Sequence, residues 1–207
     1  MKTLFATLIV MLFVPGSAPS AFAKATADQA ELTAERKDLR PTTQSPRRGD
    51  PGQVFNDIAD QVNRYTQLTI FDSISASVND GKVVLSGWVT MPSKRDDLER
   101  RVRKVEGITT IDNQIGVLPV SPFDDDLRFR IARAIYGHSL FWNYANMANP
   151  PIRVVVNRGR VTLEGVVQSN VERMLARSLA SGFNAFEIKN ALKTDAEVRE
   201  EMERKSD

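Results

Sequence analysis

Apolar residues recur at helical spacing at Val54, Phe55, Ile58, Val62 and Tyr65, which predicts an amphipathic helix over Val54 to Tyr65, just after Pro51-Gly52. The period then falls to two. Ile74, Ala76 and Val78 alternate with Ser75, Ser77 and Asn79, and the alternation resumes with Val83, Leu85, Gly87 and Val89. Between them Asn79-Asp80-Gly81 supplies residues that tolerate positive φ, so the segment reads as a hairpin. Pro92-Ser93 opens a second helix, with Ser93 and Asp96 spaced like a capping box. Leu98, Val102 and Val105 form its buried stripe, Arg95, Arg100, Arg101, Arg103 and Lys104 its outer face, and Gly107 its C-cap. Ile108, Ile111, Ile115 and Val117 belong to a third strand and its approach.

The same order returns 78 positions later: VNDGKVVLSGWV at residues 78–89 is matched by VNRGRVTLEGVV at residues 156–167. Ser121-Pro122 followed by Asp124, Asp125 and Asp126 reads as a helix start, with acids where the macrodipole favours them. Leu127, Ile131 and Ile135 form that helix's apolar stripe. Ile152 to Val156 and Val161 to Val167 make the second hairpin, and Leu175 and Leu179 stand where the first unit has Leu98 and Val102. At an offset of 77, one residue having been lost in the turn, Ile188-Lys189-Asn190-Ala191-Leu192 falls on Ile111-Asp112-Asn113-Gln114-Ile115, and Asn184 falls on Gly107, keeping a left-handed C-cap. The pattern predicts an α+β protein of two αββαβ units, each a three-stranded mixed sheet with two helices packed on one face and the other face open.

The flanks carry different signals. Lys2, an apolar run from Leu4 to Val14 and Ala21-Phe22-Ala23 form a secretory signal peptide over residues 1–23, cleaved after Ala23. The run is far short of the ~20 residues that span a bilayer. Residues 24–52 hold few large apolar groups and read as a disordered linker. The units follow at residues 53–118 and 119–195, and residues 196–207 read as a charged helical tail that frays. The expected product is soluble and periplasmic. With no cysteine in the chain, it has neither disulfides nor a thioester-linked lipid anchor. A net charge of only +2 gives no field of the kind that gathers nucleic acid, so no nucleic-acid partner is expected.

The phrase G-x-V-x-L-x-G-x-V, then a helix, then a V/I-x-N-x-I/L strand, resembles the BON domain. It reads Gly81, Val83, Leu85, Gly87, Val89 with Ile111, Asn113, Ile115, and again Gly159, Val161, Leu163, Gly165, Val167 with Ile188, Asn190, Leu192. The resemblance covers roughly residues 53–195. It implies an αββαβ fold in each unit, a non-catalytic role, and phospholipid or envelope-protein partners, with links to osmotic stress and outer-membrane integrity. The chain departs from the family's lipoproteins in lacking the lipid-bearing cysteine.

By their own chemistry, Gly87 and Gly165 mark a bulge or a close approach of helix to sheet, and Gly81 and Gly159 serve the turns. Asn113 and Asn190 suit satisfaction of backbone groups. Binding is sought in the second unit, where HSLFWNYANM at residues 138–147 crowds Phe141, Trp142 and Tyr144 into an added loop; such aromatics suit a membrane interface, the alternative being that they cover the helix or fill the interface between the units. Arg173 and Arg177, with Lys189 nearby, add a basic face. The second unit carries ten Lys/Arg against seven Asp/Glu from residue 123 to 195, whereas the first has eight against nine, so an anionic phospholipid surface is expected to meet the second. Envelope proteins bound through the open sheet faces are the alternative partners. No catalytic residue, cofactor or metal site is expected: His138 is the one histidine and has no motif around it, and the acids at residues 124–126 lack a calcium-loop pattern.

Overall fold

The computed structural model describes residues 51–206 and the backbone of a two-residue strand at Leu8–Ile9. The expected leader over residues 1–23 and linker over residues 24–52 lie outside the described residues, apart from Leu8–Ile9 and Pro51-Gly52. The first unit consists of α1 (Pro51–Asn63), β1 (Ser73–Asn79), β2 (Lys82–Val89), α2 (Pro92–Val102) and β3 (Thr110–Val117). The second consists of α3 (Pro122–Tyr136), β4 (Ile152–Asn157), β5 (Arg160–Val167), α5 (Asn170–Ala180) and β6 (Glu187–Thr194). Between α3 and β4 it adds a 3₁₀ turn at Ser139–Phe141 and a short α4 (Trp142–Ala145), and after β6 comes α6 (Asp195–Ser206).

In each unit the first two strands form an antiparallel hairpin, and the third lies parallel to the second. A parallel pair needs a long crossover, which α2 and α5 provide. Helices α1 and α2 pack together over the first sheet, and α3 and α5 over the second. Leu8–Ile9 runs antiparallel along the outer edge of β1, opposite Ala76 and Ser75.

The hairpin turns take positive φ at both central residues, +47° and +76° at Asp80-Gly81 and +52° and +74° at Arg158-Gly159. This is the pairing that matches a turn to the twist of its strands. Gly87 and Gly165 have a different reason for being glycine. Their φ values are +118° and +127°, and a Cβ would stand 2.1 Å from the Ser73 carbonyl oxygen and 1.9 Å from that of Pro151. The close approach is thus of strand to strand, and not the helix-to-sheet approach expected. Asn113 donates to the Arg95 carbonyl of α2 and accepts from its own strand at Ile115 N–H; Asn190 does the same with Arg173 and Leu192. Each asparagine fastens the third strand to the crossover helix.

Several local expectations are corrected. The first helix begins at Pro51, since proline suits a first turn whose N–H needs no partner. No side chain caps α2: its N-cap is Met91 and Pro92 is its first residue, so Ser93 lies inside the helix. The helix also ends at Val102, leaving Gly107 in the loop beyond, and Asn184 is not among the positive-φ residues. The buried apolar residues on α5 are Ala176 and Ala180, with Leu175 and Leu179 only packed at the edge of the core. The offset of 78 therefore persists through the helix, and the missing residue falls in the loop after it. Leu98 and Val102 are thus matched by two alanines, and the second core also holds Phe141 and Tyr144, which the first lacks.

The C-terminal tail forms the helix expected of it, and side chains fasten its first turns. Glu197 N–H donates to Thr194 Oγ1 at 3.3 Å and the Glu197 carboxylate accepts from Thr194 N–H at 2.8 Å, a capping box, while Lys193 binds Glu201 at 2.6 Å.

The two units touch through the segment that leads into β1. Val154 N–H donates to the Ile70 carbonyl at 2.8 Å, Arg153 Nη1 to the Thr69 carbonyl at 3.0 Å, and the Ser73 hydroxyl to the Glu164 carboxylate. Phe71 meets Phe129 edge to face at 4.9 Å between centroids. Val155 points to the open face of its sheet by alternation, yet it is only 3% exposed and shares a cleft with Trp88 of the first unit.

Candidate functional site

The aromatic insert of the second unit is split by the structure between core and surface. Phe141 is fully buried, and Tyr144 is buried with its hydroxyl donating to Glu172 Oε2 at 2.7 Å and accepting from Gln168 N–H at 3.1 Å. These two rings were expected at a lipid surface. They instead fill the space left by Ala176 and Ala180 in the second core, as their place in that cluster shows. Trp142, from the same short helix, is 67% exposed.

The basic residues separate in the same way. Arg173 donates to both carboxylate oxygens of Glu197 at 2.8 and 3.0 Å and to Asn170 Oδ1, so its charge is largely matched by α6. Arg177 is exposed in the last turn of α5. Lys189 is exposed too, but Asn190 and Leu192 of β6 face the helices, so Lys189 stands on the opposite, open face, in register with Thr162. Trp142 and Arg177 remain on the helical side, joined there by Val171 and Met174 of α5, which are 69% and 64% exposed. Tyr144 ties α4 to the first turn of α5, which carries Val171, and Met174 and Arg177 follow along that helix.

Three buried polar anchors were missed in the sequence. Asp72 is buried and accepts from Thr69, Thr90 and Lys94, the last at 2.7 Å. Burial pushes its carboxyl pKa up, but hydrogen bonds from Lys94, Thr69 and Thr90 outweigh this and hold it below the usual range. Glu172 occupies the position in α5 that Lys94 has in α2. One copy anchors a cation there and the other an anion, each reaching the segment its own unit adds. Asp124, read as a helix-start acid, is buried and accepts from the amides of Arg158 and Gly159 at 2.7 and 2.8 Å, capping the second hairpin turn from below. Tyr144→Phe removes one partner of Glu172 and is expected to lower stability by about 1–2 kcal/mol in urea denaturation. An unchanged midpoint would show that this hydrogen bond contributes nothing.

His138 accepts the Leu140 N–H at 3.2 Å and so caps the 3₁₀ turn. Among the described residues no group of three or more His, Cys, Asp or Glu is placed to hold a metal ion. No helix among them is long and apolar enough to cross a membrane.

The model of the BON domain family matches residues 56–119 and again residues 124–200. The chain belongs to the BON domain family. The BON fold is a non-catalytic, envelope-associated module, and the residues of its motif in this chain, Gly81, Gly87 and Asn113 with Gly159, Gly165 and Asn190, all hold the fold. Among solved structures, this tandem BON chain is similar to CdsD, described as a structural protein of the type III secretion system of Chlamydia trachomatis. The identity is 14%, with 73% of this chain and 97% of that chain covered, at a TM-score of 0.26. A second structure, the C-terminal domain of CdsD, gives 13% identity, 69% and 98% coverage, and a TM-score of 0.27. No curated protein matches the chain. The function of these two BON units must therefore be sought in their own surface residues.

Proposed function

We propose that this protein is an exported, non-catalytic binding protein of the periplasm that contacts anionic phospholipid at a membrane surface, in a role connected with osmotic or envelope stress. The contact is made by the α4–α5 end of the second BON unit. The observation that carries this reading is the exposure there of Trp142, Val171 and Met174, with Arg177 one turn beyond Met174. Val171 and Met174 are i,i+3 neighbours on one helix face. Large apolar side chains beside a cation suit the headgroup boundary, where Trp is at home and each basic residue contributes about 1 kcal/mol. Phe141 and Tyr144 serve this surface from behind, by fixing α4 to the core.

The second reading, envelope-protein capture by the open sheet faces, is narrowed because the first unit already covers Val155 on the second sheet. Co-sedimentation with vesicles separates the two. The purified protein is expected to pellet with phosphatidylglycerol-containing vesicles and to stay in solution with purely zwitterionic ones. Trp142→Ala should weaken binding about tenfold, the value of burying much of one large aromatic side chain less its lost freedom. Trp88→Ala should leave it intact. No pelleting with either lipid at low salt would refute the proposal.

A further inference from the structure

Between the two units lies a cleft of about 480 Å³ lined by Trp88 of β2 and, from the second unit, by Asn157, Arg158, Arg160, Thr162 and Phe186. Its volume is within the range of small-molecule sites. Two guanidinium groups contribute to the lining and no carboxylate does. We propose that this cleft binds an organic phosphate ester, an oxyanion carried on a planar body. The site is separate from the α4–α5 surface and does not depend on it.

Each aromatic wall has backbone behind it, Trp88 being 38% exposed and Phe186 81%. The Trp88 ring lies on Gly116, where a Cβ would come within 2.5 Å of it, and the Phe186 ring lies on Gly159 at the same hypothetical distance. The Phe186 N–H also donates to the Gly159 carbonyl at 2.9 Å, and its ring has Phe123 at 6.4 Å between centroids. Each ring thus leaves a face open on which a planar group can stack. The second copy has Val166 where the first has Trp88, so only the junction of the two units builds this pair of walls.

On the cationic side the backbone of the turn is fixed, while the Arg158 and Arg160 side chains are exposed. Arg158 has φ +52° at the tip of the hairpin, a conformation that suits Asn, Asp or Gly better than Arg, and the first unit has Asp80 at this place. The buried carboxylate of Asp124 pins the turn through the amides of Arg158 and Gly159. Arg158 and Arg160 leave the turn on the same rim, and their planar forks suit a phosphate better than ammonium groups would. Thr162 and Asn157 add neutral donors. The other charges on this face of the second sheet are Glu187, 3.6 Å from Arg160 in an exposed pair, Lys189, in register with Thr162, Lys193, bound to Glu201, and Arg153 and Glu164, which are engaged by Thr69 and Ser73 of the first unit. An exposed pair of that kind is weak enough for an incoming phosphate to replace.

The test is calorimetric titration of the whole protein with phenyl phosphate, sn-glycerol 3-phosphate and inorganic phosphate, against sodium chloride at matched ionic strength. Phenyl phosphate is expected to bind saturably and at least tenfold more tightly than the other two. Arg158→Asn combined with Arg160→Gln should weaken it at least tenfold with thermal melting no lower, because Asn accepts the left-handed turn position. Arg160→Gln alone, at an exposed strand position, should weaken it severalfold and serves if the turn variant melts early. Trp88→Val should abolish the preference for phenyl phosphate over inorganic phosphate. Heat no greater than the salt control, or wild-type affinity in the arginine variants, would overturn the assignment. Glycerol phosphate binding as tightly as phenyl phosphate would overturn the planar body and point to a lipid headgroup. No membrane is present, so the vesicle result stands or falls separately.

Discussion

Gly165→Ala is expected to cost the second unit about 3 kcal/mol or more, a large fraction of the stability ordinary for a small domain. The added methyl group has nowhere to go. It would stand 1.9 Å from the Pro151 carbonyl oxygen, backbone that cannot swing aside like a flexible side chain, and the residue's φ of +127° is one that L-residues rarely adopt. Gly87→Ala should do the same to the first unit, with a clash at 2.1 Å against the Ser73 carbonyl. Gly182→Ala is the control: the nearest atom to its Cβ is 3.5 Å away and its φ is not in the positive range. Urea denaturation followed by circular dichroism should show a large loss for each strand glycine and a change within about 0.5 kcal/mol for Gly182. A Gly165→Ala protein that melts with the wild type would remove the steric account of the motif.

That expectation explains why so much of the fold was legible in the sequence. The doubled phrase contains the residues with the fewest substitutes: the turn glycines, the strand glycines and the alternating apolar positions, and all are where the pattern placed them. The details that failed are ones in which several residues could do the job. Helix ends went astray because Pro92 begins α2 without a side-chain cap, so the spacing of Ser93 and Asp96 had no cap to form. The alignment slipped by one in α5 because Leu175 and Leu179 resemble Leu98 and Val102 in chemistry, while the true counterparts, Ala176 and Ala180, are small. A helix whose buried positions are alanine signals that something large comes from elsewhere, here Phe141. The same clue would have removed Phe141 from the lipid surface. The capping box at Thr194 and Glu197 was readable in T-x-x-E and was passed over because the residues around it are so charged.

The contact between the units was not legible at all. It is made by residues 69–73, a short stretch between elements whose spacing resembles no motif. Nothing in a one-dimensional pattern sets an irregular segment against the edge of a sheet more than eighty residues away. The cleft inherits this blindness, since Trp88 and Phe186 belong to different copies and neither copy alone has two walls. Divergence between the repeats has therefore worked on two places, the insert that supplies Phe141 and Trp142 and the junction that pairs Trp88 with Arg158.

The stretch that makes the junction depends on the buried pair Lys94–Asp72, and Lys94→Met is expected to cost about 3 kcal/mol at neutral pH, the lower end for breaking a buried ion pair. Lys94 Nζ lies 2.7 Å from Asp72 Oδ2 and 2.7 Å from Thr90 Oγ1, with both charged side chains almost wholly out of solvent. Removing the ammonium leaves the carboxylate buried, although the amides and hydroxyls of Thr69 and Thr90 still hold it, which is why the cost stays at the lower end. The sign of the pH dependence follows from the depressed pKa of Asp72. Its stabilising contribution is complete above the unfolded carboxyl value of about 3.9 and is lost as pH falls through the lower folded value. Without Lys94 the strongest opponent of burial is gone and the folded pKa rises, so the variant has less of this stability to lose in acid. The gap between wild type and Lys94→Met should therefore be widest near neutrality and narrow below about pH 4. Paired urea titrations across that range would show it. A gap that holds constant into acid would mean that the cost is lost packing of the lysine stem and not an uncompensated charge. Because Asp72 also fixes the Thr69 to Ser73 segment, the same variant should loosen the phosphate-ester cleft, a coupling that Arg160→Gln cannot produce.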